Sequence, residues 1–104
     1  MAVHRDHEGR AVRLTRERLE HIREHPEMAG LERTISLTLR APEAVVQSRS
    51  DPEVRLHYRI CRGTRVGDKL LCVVVKITAL NAFVVTAYLT DRIKRGIHLW
   101  PRRR

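Results

Sequence analysis

Residues 69–91, KLLCVVVKITALNAFVVTAYLTD, constrain the fold of this chain more than any other stretch. They hold its densest run of apolar and β-branched residues, and Ala79-Leu80-Asn81 divides them into two segments of strand length. Short β-branched runs bounded by polar or turn residues read as strands. A link this short makes the two strands antiparallel neighbours.

Side chains along a strand alternate between faces. Leu71, Val73, Val75 and Ile77 share one face of the first segment, and Leu70, Cys72, Val74 and Lys76 share the other. In the second segment Phe83, Val85, Ala87 and Leu89 oppose Val84, Thr86, Tyr88 and Thr90. One face is wholly apolar; the other carries a lysine, two threonines and a tyrosine. Helices are expected over the apolar face, which leaves the mixed face as a working surface.

Residues 53–61 extend this sheet. Val54, Leu56, Tyr58 and Ile60 alternate with Arg55, His57, Arg59 and Cys61. The first set is expected under the helices, so that the open face gathers Arg55, His57, Arg59, Lys76, Thr86 and Tyr88. Residues 62–68, with two glycines, read as a hairpin loop. At the amino end Val3-His4, the turn sequence Asp6-His7-Glu8-Gly9 and residues 10–14 read as a short hairpin. Thr15 is a good N-cap for a helix over 16–25, whose thin apolar stripe is Leu19 and Ile22; Pro26 ends it. Met28, Leu31, Ile35 and Leu39 recur at helical spacing and predict a second helix that Pro42 stops. Residues 44–48 read as a short strand, possible at an edge. The tail IKRGIHLWPRRR has no period, and Trp100 is expected to fold back on the domain. The expectation is one α+β domain over residues 1–104: two N-terminal helices packed on one face of an antiparallel sheet of about four strands, with a short N-terminal β-hairpin.

Charge narrows the partners. The chain carries 21 Lys+Arg against 12 Asp+Glu, a net charge of +9. Residues 91–104 contribute Arg92, Lys94, Arg95 and three terminal arginines against Asp91 alone. Such a surplus suits a polyanion, nucleic acid above all. No run is long enough to span a bilayer and no leader is evident, so a cytoplasmic location is expected. Cys61 and Cys72 lack CxxC spacing and read as buried thiols.

The expected open face holds the parts needed to cleave RNA without a metal: an imidazole for proton transfer and cations to stabilise a phosphorane. Arg55, Arg59 and Lys76 could hold phosphate, and Tyr88 could stack on a base. His21 and His25 lie four apart, on one face of the first helix. No third ligand or HExxH motif accompanies them, so no metal or cofactor is expected. The glycines at 63 and 67 lack the lysine of a phosphate loop and mark a turn.

The motif order RLTRERLEHIREHPEM, TLRAPEAVVQS, a strand containing Tyr58-Arg59, LLCVVVK, FVVTAYLTDRIKRG and a closing LW resembles the phage-associated nuclease group of the barnase–EndoU–colicin–RelE-like superfamily. HIREHPEM and VTAYLTDRIKRG are its most specific pieces. The resemblance implies a metal-independent endoribonuclease, often a toxin of a toxin–antitoxin pair, a prophage or a conflict system. RNA and a protein antitoxin are the partners it implies. It places catalytic roles on His21, His25, Arg59, Thr86 and Tyr88. Arg55, His57, Lys76, Arg92 and Lys94 are then expected to bind substrate. The alternatives are a non-catalytic RNA-binding module and an inactive, partner-binding member of the same fold.

Overall fold

Thr15 opens the first helix as its sequence dictates: its Oγ1 accepts a hydrogen bond from the Arg18 N–H at 3.2 Å. Helix α1 spans Arg16–Arg23 and gives way to a 3₁₀ turn at Pro26–Met28. Helix α2 spans Glu32–Arg40. The stripe of Met28, Ile35 and Leu39, with Leu31 beside it, packs with Ile22 onto the sheet. In this computed structural model, which describes residues 2–102, the strands are β1 (Ala2–Arg5), β2 (Ala11–Leu14), β3 (Ala44–Gln47), β4 (Val54–Thr64), β5 (Gly67–Ile77), β6 (Ala82–Thr90) and β7 (Ile97–Trp100).

All seven strands form one sheet in the order β1-β2-β6-β5-β4-β3-β7. The expected α+β arrangement of two helices on about four strands is therefore corrected. The protein is mainly β, because both ends of the chain add strands to the central meander. The amino-terminal hairpin joins through a parallel contact of β2 with β6. β3 lies inside the sheet, between β4 and β7. The aperiodic tail supplies β7, and Gly96 lets it close on β3: a Cβ there would collide with the Val46 side chain and the Gln47 carbonyl.

The strand phase also differs from expectation. Leu71, Val73 and Val75 lie under the helices as read. β4 takes the opposite phase: Arg55, His57 and Arg59 pair with Val75, Val73 and Leu71 and so share the helix-side face. Leu56 and Tyr58 lie on the other face, in a second core with Val46 and Cys72, flanked by Val74 and Tyr88. Both faces of β5 are apolar, so both can seat a core, and the second takes the apolar side of β4. In β6 a bulge between the partners of Val74 and Val75 shifts the register. Ala87 and Leu89 face the helices, and beyond the bulge Ala82 and Val84 do so in place of Phe83 and Val85.

Candidate functional site

Asp6 builds the turn between β1 and β2. Its Oδ1 accepts from the backbone N–H groups of Glu8 (2.9 Å) and Arg10 (2.8 Å), and its Oδ2 from the Arg10 guanidinium (2.8 Å). The positive φ of Gly9, 81°, completes the reversal. This turn lies over the helix-side face of β4. His7 is set at a ring-centroid distance of 5.8 Å from His57, edge to face at 69°. On its other side the His7 ring lies 5.1 Å from Trp100. Trp100 is itself fixed, since its Nε1–H donates to the Pro42 carbonyl at 3.2 Å.

His57 sits mid-sheet, paired with Val45 on β3 and Val73 on β5, and is fully buried. Neither of its ring nitrogens has a hydrogen-bond partner among the described residues, and nor does His7 Nδ1. Burial, then the neighbouring His7, pushes the His57 pKa down from 6.5 to about 4, against the opposing pull of Asp6 and of the Val73 backbone, which approaches the ring without hydrogen-bond geometry. Burial lowers His7 too, with Arg55 and Arg10 adding to the shift and Asp6 and Glu8 opposing it.

Arg55 projects beside His57, and its Nη1 lies 3.0 Å from Glu8 Oε1. His7, Glu8, Arg55, Leu99, Trp100 and Arg102 line a cleft of about 420 Å³. That is the size of a small-ligand site. A larger cavity, about 530 Å³ and bounded by Leu14, Leu19 and Arg23 among others, contains no imidazole, hydroxyl or thiol. The cleft combines an imidazole, two guanidiniums, a carboxylate and an indole, whereas a hollow of about 310 Å³ around His21 holds an imidazole and one guanidinium among three carboxylates, an acidic setting unsuited to phosphate.

Of the expected site residues, only Arg55 and His57 belong to this cluster. His21 and His25 are exposed, beside Glu24 (3.4 Å) and Glu27 (3.9 Å). Arg59 donates to the Ala41 carbonyl at 2.6 Å, where it caps the C-terminal end of α2. Thr86 and Tyr88 lie on the opposite face, paired with Val74 and Cys72. Burial, then Cys72, pushes the Tyr88 hydroxyl up. Lys76 shares that face but sits near Asp51 (3.5 Å) and Glu53 (3.9 Å). Arg92 and Lys94 are exposed; the Lys94 backbone N–H donates to the Tyr58 hydroxyl at 3.0 Å. The catalytic set carried by the resemblance is thus divided among α1 and the turn after it, the end of α2 and the far side of the sheet. Asp6, His7, Glu8 and Trp100 were not singled out by sequence reasoning as site residues. The one available signal was a histidine inside an Asp-x-x-Gly turn, and nothing in its spacing pointed to His57.

Among the described residues no helix is long and apolar enough to cross a membrane. No protein-family model, curated protein or solved structure matches the chain.

Proposed function

We propose that this protein is a small endoribonuclease that takes single-stranded RNA into the cleft between the β1–β2 turn and β7. The observation that carries the reading is the convergence of His7, Arg55, Arg102 and Trp100 on one cavity in a chain of charge +9. Arg55 and Arg102 hold the phosphodiester, and a base stacks on Trp100. The RNA 2′-oxygen attacks the adjacent phosphorus and the P–O5′ bond breaks. The products are a 2′,3′-cyclic phosphate and a free 5′-hydroxyl. His7 takes the 2′-hydroxyl proton and delivers one to the leaving 5′-oxygen. The guanidiniums stabilise the charge that builds on the phosphorane. His57 packs behind His7 and fixes the ring.

A second reading, RNA binding without cleavage, draws on the fact that only one imidazole among the described residues borders the cleft. Two measurements separate the readings. Trp100 is the sole tryptophan, so its fluorescence reports RNA in the cleft directly. Incubating a defined RNA pool with the protein in EDTA then reports cleavage. Quenching with cyclic-phosphate products supports the nuclease, and quenching with intact RNA supports the binding module. An unchanged Trp100 signal at low salt would overturn both.

A further inference from the structure

Asp6, His7 and His57 offer a carboxylate oxygen and two ring nitrogens that all lie within 4.8 Å of one another. We infer that these three residues bind a divalent transition metal, zinc being the best fit.

Three independent features support the site. The first is the orphaned nitrogens. A neutral imidazole carries one donor and one acceptor, yet both nitrogens of buried His57 and the Nδ1 of His7 lack partners among the described residues. A metal takes one nitrogen of each ring, and the second His57 nitrogen then faces the Val73 backbone, whose contact raises the His57 pKa. The second is orientation. Three hydrogen bonds to the Asp6 carboxylate fix it in place. A carboxylate has about four lone-pair sites, so one remains for a metal. His7 Nε2 lies 3.7 Å from Glu8 Oε1, a carboxylate placed to orient the ring when Nδ1 ligates. The third is spacing. Ligand atoms around a tetrahedral zinc lie roughly 3.3 Å apart, given bonds of about 2.0–2.1 Å. The trio needs only a modest contraction to reach it, and His7 stands on a turn that can supply it.

Donor type selects the ion. Two imidazoles and one carboxylate suit zinc and its neighbours, whereas calcium and magnesium favour all-oxygen sets. Arg10 and Arg55 are the nearby cations, and Asp6 and Glu8 pair with them. A fourth position is left for water or a solute from the adjoining cleft. One consequence rests on the RNA reading: zinc on His7 removes the imidazole from proton transfer and inhibits cleavage.

The test is run on the metal-free full chain without RNA, so that it fails separately from that reading. Zinc is titrated by calorimetry and cobalt by its visible absorption. The expected result is one equivalent of zinc per chain, tetrahedral cobalt bands, and at least a tenfold weaker affinity in His7→Gln and in His57→Leu. His7 stands on a turn rather than mid-sheet, which makes its variant the safer one to fold, and circular dichroism verifies both. The double variant His21→Ala/His25→Ala should bind as before. Failure to saturate below about 100 µM zinc would overturn the site, as would binding lost in His21→Ala/His25→Ala but kept in His7→Gln.

Discussion

The chain holds two histidine pairs, and they differ in every physical respect. His21 and His25 are four residues apart, exposed, and each beside a glutamate. His7 and His57 are fifty residues apart, in contact, and enclosed by Asp6, Arg55 and Trp100. The first pair is conspicuous in the sequence because a helix makes spacing visible. The second exists only because a hairpin turn folds over the middle of the sheet. Burial separates their chemistry: water solvates the His21 and His25 imidazoles, whereas the enclosed pair has lost water and gained no hydrogen-bond partner for three of its four ring nitrogens. Unpaired buried polar groups cost about 1–3 kcal/mol each. A fold that keeps two such rings together points to a use for them.

The largest effect that can break this comparison is acid instability. The His57 pKa is about 4 when folded and near 6.5 when unfolded. Below pH 6.5 the unfolded chain binds the extra proton first. Stability is thus fully present above pH 6.5 and falls as the pH drops toward 4. The loss from this residue is about 3 kcal/mol, read by urea melts across that range. The His57→Leu variant should lose this slope, while His21→Ala/His25→Ala should keep it. A wild-type profile as flat as that of His57→Leu would mean that His57 is solvated after all.

Next in size is the effect of His57→Leu itself at pH 7.5 in metal-free buffer. An apolar side chain of similar volume removes the unpaired nitrogens, and stability should rise by about 1–3 kcal/mol in denaturant melts. A fall of that size would show that His57 makes a polar contact worth keeping.

Smaller still is the contrast between two arginines of one strand. Arg55→Ala should weaken RNA affinity about tenfold by Trp100 fluorescence, the scale of one charge-assisted contact. Arg59→Ala should leave that affinity unchanged, and should instead lower stability by about 1 kcal/mol through the lost bond to Ala41. The smallest effect belongs to Glu8. It is exposed, and its pair with Arg55 is worth under about 1 kcal/mol. Glu8→Gln should therefore tighten RNA binding by no more than about fivefold.

The sequence displays its local structure well. Thr15 opens α1, which ends at Arg23, two residues short of the expected 16–25; the Met28/Leu31/Ile35/Leu39 stripe packs into the core as read, although only Ile35 and Leu39 lie within α2; and β5 alternates as read. Phase between strands was harder to read. Residues 53–61 alternate cleanly, but alternation does not say which side of a strand meets the helices when the neighbour is apolar on both faces. The bulge in β6 has no glycine to announce it. β7 escaped notice because four residues of mixed polarity carry no period. The site failed to show for the same reason. Arg55 and His57 lie on the helix side of β4 and not on the open face that alternation predicts, and their companions come from a turn and a tail.

The most direct test of the account compares RNA cleavage by His7→Ala with cleavage by His21→Ala/His25→Ala, in EDTA at equal protein concentration. If the enclosed imidazole does the chemistry, the first variant loses at least about a hundredfold in rate and the second stays within twofold of wild type. Full activity in His7→Ala, or loss in His21→Ala/His25→Ala alone, would contradict the account.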